Sequence, residues 1–274
     1  INLCLDKGVH YIPPVSKMEV SMMSRSDIRI QMKNIQKSFG AVKPLQGVDL
    51  TLYKGECLGL LGDNGAGKST LMKILSGVLI PDQGEIYFEG EKVSIKKPKD
   101  AKNLQIETVF QDLALCDTLN VANNIFLGRE PLKFGGRLID KKKLHERTRE
   151  ELDKLGINIS STKLTVQNMS GGQRQAIAIA RAMTFQPKVL ILDEPTAALG
   201  VKEVNMVLGL INKVKKAGVS VILITHRLQD LFEVCDRLMV LHEGKCIDNR
   251  PIDQYTLETV ISSIMGNPEG VQVS

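Results

Sequence analysis

Apolar positions along the chain follow two patterns, which predict different elements. From Ile28 every second residue is apolar, through Ile30 and Met32, and after the turn Ser38-Phe39-Gly40 the same period returns at Val48, Leu50 and Leu52. Alternation marks strands with one buried face, so these two segments predict an antiparallel sheet. Four later runs are continuous: Glu56 to Leu61, Ile106 to Phe110, Val189 to Leu192 and Val219 to Thr225. Continuous apolar runs of this length predict strands covered on both faces, as in a parallel sheet. Helical spacing appears at Leu71, Ile74, Leu75 and Val78, and again at Leu144, Thr148, Leu152 and Leu155 within the charged stretch from Asp140 to Leu155. The turn Pro81-Asp82-Gln83-Gly84 leads into a short strand from Glu85 to Phe88. A last strand and hairpin are expected at Leu238 to Leu241 and Glu243-Gly244, and a closing helix near Leu257 to Met265.

Between about Asp112 and Asn168 the strand signal disappears, and that region reads as a mostly solvated helical insert. The fold class predicted is α/β: a mixed, largely parallel sheet core, an N-terminal antiparallel β subdomain and a helical insert over about 112–170. Residues 1–26 contain Pro13 and Pro14, are poorly patterned and are expected to be loosely ordered. The main unit is expected over 27–266, followed by a tail at 267–274. The chain starts at Ile1, with Met18, Met22 and Met23 as candidate natural starts. No internal repeat or low-complexity segment is visible.

Composition narrows the picture only slightly. At 274 residues and 43% apolar content there is material for one large core or two small ones. The net charge of +5 is too slight to argue for nucleic acid, and no such partner is expected. Cys4, Cys57, Cys116, Cys235 and Cys246 are far apart in sequence and form no C-x-x-C pair, which reads as reduced thiols in a cytosolic protein. No apolar stretch approaches the ~18 residues of a spanning helix, so any role at a membrane is expected to come through a partner.

The chemistry concentrates where the buried runs end. After Leu61 come Gly62, Asp63, Asn64, Gly65, Ala66, Gly67, Lys68, Ser69 and Thr70, which fit G-x-x-x-x-G-K-[ST] in the required strand-loop-helix context. Glycines let backbone N–H groups approach phosphate oxygens at a helix N-terminus, Lys68 adds charge to the β- and γ-phosphates, and the Ser69 hydroxyl suits Mg²⁺. Bland alternatives stand beside most of the further candidates. Phe39 is either a core side chain or an aromatic that stacks on a flat ligand such as adenine. Gln111 puts an amide at the end of its run. Ser170, Gly171, Gly172 and Gln173 open an apolar helix, as a plain capping box or as a second phosphate clamp. Asp193 and Glu194 are either an N-cap and a surface acid or a Mg²⁺-holding carboxylate and the base that poises a water. His226 follows the run from Val219 and is either structural or a donor to the γ-phosphate.

Taken together, these motifs resemble the ATP-binding cassette of ABC transporters, over about Ile28 to Gly266. The resemblance implies an ATPase in which Phe39 stacks on adenine, Gly62 to Thr70 form the Walker A loop and Gln111 is the Q-loop glutamine. It makes Ser170 to Gln173 the signature, Asp193 the Walker B aspartate, Glu194 the catalytic glutamate and His226 the switch histidine. Lys68, Gln111, Glu194 and His226 would then act in catalysis, with Ser69, Gln111 and Asp193 around Mg²⁺. It further implies a head-to-tail pair of cassettes, here a homodimer, in which the signature of one closes over the Walker A loop of the other.

Segments Asn124 to Glu130, Leu164 to Gln175 and Thr196 to Gly200 are similar to simple-sugar importers of the ribose, xylose and fructose type. Gly200 stands where most cassettes have aspartate. This branch implies import through membrane permease subunits, a secreted sugar-binding protein, and a cytoplasmic position on the inner face of the membrane. Many such proteins fuse two cassettes, so the chain reads either as a single-cassette member or as the N-terminal half of a longer product. An exporter cassette and a ribosome-associated ATP-gated binding protein are the competing readings.

Overall fold

In the computed structural model, residues 27–267 are described; the loose extension expected over 1–26 and nearly all of the expected tail lie outside them. The first two strands, β1 (Ile28–Phe39) and β2 (Val42–Tyr53), form an antiparallel pair whose register matches Met32 with Leu50 and Phe39 with Val42. Their apolar positions Ile30, Met32, Ile35, Val48, Leu50 and Leu52 are buried on one face, as the alternation predicts. The turn is tighter than the pattern suggests: pairing resumes at Phe39 after an irregularity at Ser38, because backbone hydrogen bonds need no apolar side chain to extend them.

Next come β3 (Cys57–Leu61), α1 (Lys68–Leu75), β4 (Gln83–Phe88), β5 (Glu91–Val93), α2 (Pro98–Asn103) and β6 (Ile106–Val109). Strands β4 and β5 complete the N-terminal sheet in the order β2-β1-β4-β5. The insert follows with α3 (Val121–Ile125), the hairpin β7 (Leu132–Lys133) and β8 (Leu138–Ile139), and α4 (Lys141–Leu155). Helix α4 buries the four expected positions, Leu144, Thr148, Leu152 and Leu155. The hairpin corrects the expectation of a strand-free insert; its strands have two residues each, too short to show any period.

The chain then runs through α5 (Gly171–Met183), β9 (Val189–Asp193), α6 (Val201–Lys216), β10 (Ser220–Ile224), α7 (Leu228–Val234), β11 (Arg237–His242), β12 (Lys245–Pro251) and α8 (Leu257–Ile264). The pattern reading omits α6 and α7, although α6 buries Val204, Val207, Leu208, Ile211 and Val214 at helical spacing. The second sheet has the order β12-β11-β3-β10-β9-β6, parallel except for β12. Its side chains divide between two cores. Leu58, Leu60, Ile191, Ile222 and Met239 face the N-terminal sheet and α1, while Leu190, Leu192, Val221, Leu223 and Val240 face α5 and α6. Both faces are covered, which is why these runs are continuous. Cys57 and Cys235, distant in sequence, bring their Sγ atoms to 3.7 Å in the second core without a bond between them.

One buried ion pair ties the sheets together. Arg237 Nε donates to Glu56 Oε1 at 2.7 Å, and the same guanidinium donates to the Thr51 carbonyl and to Asn249, joining β11 to β2 and β12. Both charges are more than nine-tenths buried. Removing one partner of such a pair strands the other in a low dielectric, so Glu56→Ala should cost about 3–5 kcal/mol in urea unfolding. A loss below about 1 kcal/mol, the range of exposed pairs, would mean the pair is not a structural tie.

Candidate functional site

Parallel register brings four strand ends to one edge. Val109 pairs with Leu192, Asp193 with Ile224, and Ile224 with Leu60, so the residues that follow β6, β9, β10 and β3 emerge side by side. A cleft of about 760 Å³ opens there. Its walls include Gly62, Asn64, Gly65, Ala66, Gly67, Lys68, Ser69 and Thr70 from the glycine loop, with Asp193, Glu194, His226 and Gln111 from the neighbouring strands. Asp63 does not line it, but its carbonyl accepts from Lys68 Nζ at 2.9 Å. Phe39 stands at the rim, half exposed, which excludes the reading of Phe39 as a core side chain. Val42, Pro44 and Thr225 also line the cleft, and the sequence reading did not single them out.

Two loop glycines are dictated by close packing. A Cβ on Gly62, at φ +140°, would lie 2.1 Å from the Leu241 carbonyl oxygen, and one on Gly67, at φ +104°, would lie 2.2 Å from that of Pro44. The loop is thus wedged between β11 and β2, and Gly67 caps α1, whose first residues Lys68, Ser69 and Thr70 line the cleft at the end of the helix where N–H groups lack intrahelical partners.

Charge is held in the cleft against a desolvation cost. Lys68 Nζ donates to the Gly62 carbonyl at 2.5 Å. Burial pulls its pKa below the ordinary value, while Glu194, Asp63 and Asp193 act the other way. Burial, then the Glu194 charge, pushes the Asp193 carboxyl above its usual range, and Lys68 only partly offsets this. Glu194 sits at φ +52°, a left-handed conformation that is uncommon for a side chain of this kind. Its Oε2 is buried, lies 2.9 Å from His226 Nδ1, and yet has no aligned hydrogen-bond partner. His226 itself is largely exposed. The orphaned carboxylate oxygen can accept from a water, and the accessible imidazole beside it can donate to a phosphate. Among the described residues no group of three or more His, Cys, Asp or Glu is arranged to hold a metal alone. The oxygens of Ser69 and Asp193 instead suit a hard cation that arrives on phosphates.

Ser170, Gly171, Gly172 and Gln173 do not line this cleft. Their capping box is formed: Ser170 Oγ accepts from the Gln173 N–H at 3.3 Å, and Gln173 Oε1 accepts from the Ser170 N–H at 3.1 Å. The paired glycines also have a packing reason the sequence did not reveal. A Cβ on Gly171 would meet Leu199 Cδ2 at 2.7 Å, and one on Gly172 would meet Glu203 Cβ at 2.8 Å. The Glu203 carboxylate accepts from the backbone N–H groups of Gly172 and Gly200, both at 3.2 Å, and bonds to Ser170 and these amides hold its pKa down. The start of α5 therefore already faces one anion, supplied by α6. Two arginines further along α5 grip the segment after Gln111. Arg181 donates to the carbonyls of Leu113 and Ala114 at 2.6 and 2.7 Å, and Arg174 pairs with Asp117 at 2.6 Å.

With strand order, loop wedge and paired acids in view, comparison with known proteins is decisive: the family model described as ABC transporter matches residues 45–197. The chain belongs to the ABC transporter family. It is 47% identical over 84% of its length to the xylose/arabinose import ATP-binding protein XylG of Sulfolobus acidocaldarius, covering 91% of that protein. It is 42% identical over 86% of its length to the fructose import ATP-binding protein FrcA of Rhizobium meliloti, covering 94% of it. Against the ribose import ATP-binding protein RbsA of Caldanaerobacter subterraneus identity is 43% over 86% of this chain, but the chain spans only 47% of that longer protein.

Among solved structures, the ADP conformation of the ATP-binding cassette MJ1267 superposes with a TM-score of 0.75 at 27% identity, covering 89% of this chain and 99% of that one. A dimeric post-hydrolysis cassette, MJ0796 with ADP and Pi, matches with a TM-score of 0.69 at 25% identity, covering 82% and 100%. The α/β architecture with its antiparallel N-terminal sheet is that of these ABC cassettes.

The raised Asp193 pKa makes a prediction with a definite sign. The folded chain binds this proton more tightly than the unfolded chain, so the buried carboxylate costs stability at neutral pH. That cost falls as pH drops through the raised pKa and is gone below the ordinary 3.8. Asp193→Asn should therefore raise Tm at pH 7, with the gain shrinking toward pH 4. Differential scanning calorimetry across that range checks this, and a lower Tm at pH 7 would contradict it.

Proposed function

We propose that this chain is the ATP-hydrolysing subunit of a sugar importer, working as one of a pair of cassettes beneath a membrane permease. The observation that carries the reading is the convergence of Lys68, Asp193, Glu194, His226 and Gln111 on the cleft floored by the glycine loop. The names of XylG, FrcA and RbsA, all import ATP-binding proteins, support import over the exporter reading and point to a pentose or other simple sugar as cargo.

In this reading adenine stacks on Phe39, and the phosphates lie along residues 62–70 at the start of α1. Lys68 exchanges its bonds to the Gly62 and Asp63 carbonyls for phosphate oxygens. Ser69, Gln111 and Asp193 would hold a Mg²⁺ ion, which when bound would supply positive charge beside the phosphates. Glu194 takes a proton from the attacking water, its carboxylate fixed by the strained turn after β9, and His226 donates to the γ-phosphate. The start of α5, which does not line the cleft of its own chain, meets the γ-phosphate of the second copy; pairing of cassettes is supported by the dimeric MJ0796 cassette.

Arg174 and Arg181 link that helix to the Gln111 segment, so phosphate release at one end is felt at the other. Beside Gln111 lies a groove of about 400 Å³ between β6 and the insert, with Val78, Phe110 and Leu127 exposed at its rim. This groove receives the permease, and a secreted sugar-binding protein delivers cargo to the outer side. No helix among the described residues is long and apolar enough to cross a membrane; in this reading the permease positions the chain at the inner face.

Two variants test the motor. Lys68→Ala should abolish ATP binding in equilibrium dialysis. Glu194→Gln should retain binding while turnover falls ~10²–10⁴-fold, the range for losing a general base. Near-normal turnover in Glu194→Gln would remove Glu194 from that role. Recovery of the wild type with a ribosome or with a lone exporter subunit, instead of a permease and a sugar-binding protein, would overturn the importer reading.

A further inference from the structure

The hairpin β7-β8 is built unlike the rest of the surface. Its strands pair only with each other, and every residue from 132 to 139 is exposed. Four of those residues are large and apolar: Leu132, Phe134, Leu138 and Ile139, with Phe134 at 72% exposure. Phe134 also has φ +52°, a conformation that a bulky aromatic rarely adopts, next to Gly135 and Gly136, both at positive φ. The tip is thus held in a strained turn that presents an aromatic ring outward, and an observed outlier of this kind points to a role.

Charge accompanies the apolar tip. Between residues 131 and 143 stand Lys133, Arg137, Lys141, Lys142 and Lys143 against one acid, Asp140, a net of +4 where the whole chain carries +5. Asp140 is occupied in capping α4, accepting from the Lys143 N–H at 3.1 Å. Lys141, Lys142 and Lys143 are exposed, and of these only Lys142 has an acid within ion-pair range, Glu146 at 3.9 Å. A two-stranded ribbon gains little stability by itself in water, so four exposed apolar side chains on one are explained by a second surface that covers them.

We propose that this hairpin, with the first turn of α4, is a docking surface for an anionic lipid bilayer. Leu132, Phe134, Leu138 and Ile139 enter the boundary between headgroups and acyl chains. Lys133, Arg137 and the three lysines of α4 pair with acidic headgroups, their long stems letting the ammonium groups stay at the headgroup level. Position supports this occupant. Leu127 and Arg129, just before the hairpin, line the groove proposed for the permease, so the hairpin would flank a partner embedded in the membrane. That last step rests on the importer reading; the charge and the apolar tip do not.

Flotation of the full chain with vesicles, without nucleotide, tests the proposal. Vesicles of phosphatidylcholine with 30% phosphatidylglycerol should capture the wild type, and pure phosphatidylcholine should not. Each basic residue near an anionic surface is worth roughly fivefold in partitioning, so Lys141→Gln/Lys142→Gln/Lys143→Gln should weaken capture roughly 100-fold. Leu138→Ser/Phe134→Ser should release the protein while leaving ATP turnover in detergent unchanged. Far-UV circular dichroism checks that each variant is folded. No capture by the anionic vesicles, equal capture by neutral ones, or capture that the triple variant retains would overturn the proposal. Capture by neutral vesicles only when they contain the permease would do so as well, and would assign the hairpin to a protein partner. Loss of the ATPase reading would leave the lipid result standing, because the assay contains no nucleotide.

Discussion

The parallel ladder of β6, β9, β10, β3 and β11 is the constraint on which the rest depends. Its register sets Leu60, Ile224 and Asp193 at one level, so the chain leaves the sheet at the same edge each time it delivers a functional group. A slip of one residue would turn Asp193 to the other face and break both cores together. The glycine loop is fixed to the same edge from outside. The Gln46 N–H donates to the Gly244 carbonyl at 2.8 Å and the Gly244 N–H to the Ala66 carbonyl at 3.2 Å, so the turn after β11 clasps the loop to the N-terminal sheet. Close approach of the Leu241 and Pro44 carbonyls then leaves room only for glycine at 62 and 67.

This scaffold supports a site that is costly in isolation. Asp193 and Glu194 are adjacent acids at the end of a strand whose other residues are fully buried, and Lys68 across the cleft offsets only part of the desolvation and repulsion that Asp193 meets. Continuous apolar runs on both sides supply the stability that tolerates them, since each fully buried Leu, Ile or Val is worth about 1.5–3 kcal/mol. Such tension is expected where charge is kept available for a ligand rather than neutralised within the fold.

Much of this was legible in the sequence, for identifiable reasons. Strands buried on two faces give unbroken runs, and residues directly after such runs fall at one edge, so the sequence pattern alone groups Gln111, Asp193, Glu194 and His226. What escaped was set by tertiary contacts. The Gly171-Gly172 pair reads as an opening for phosphate, yet Leu199 and Glu203 of the α6 region pack against it, a partner thirty residues away that no local pattern reveals. Helix α6 itself went unread beside the stronger motif before it. The hairpin in the insert was hidden because two-residue strands have no period, and Arg181 gave no sign that it holds the Leu113 and Ala114 carbonyls.

In the function proposed above, the site is half built in each chain, and α5 of one copy completes the cleft of another. Static light scattering of Glu194→Gln at several concentrations, with Mg-ATP, with ADP and without nucleotide, tests it most directly. Such a pair has a mass twice that of the 30.2 kDa chain, expected with Mg-ATP and not with ADP or without nucleotide. A chain that binds ATP but keeps the monomer mass at every concentration would contradict it.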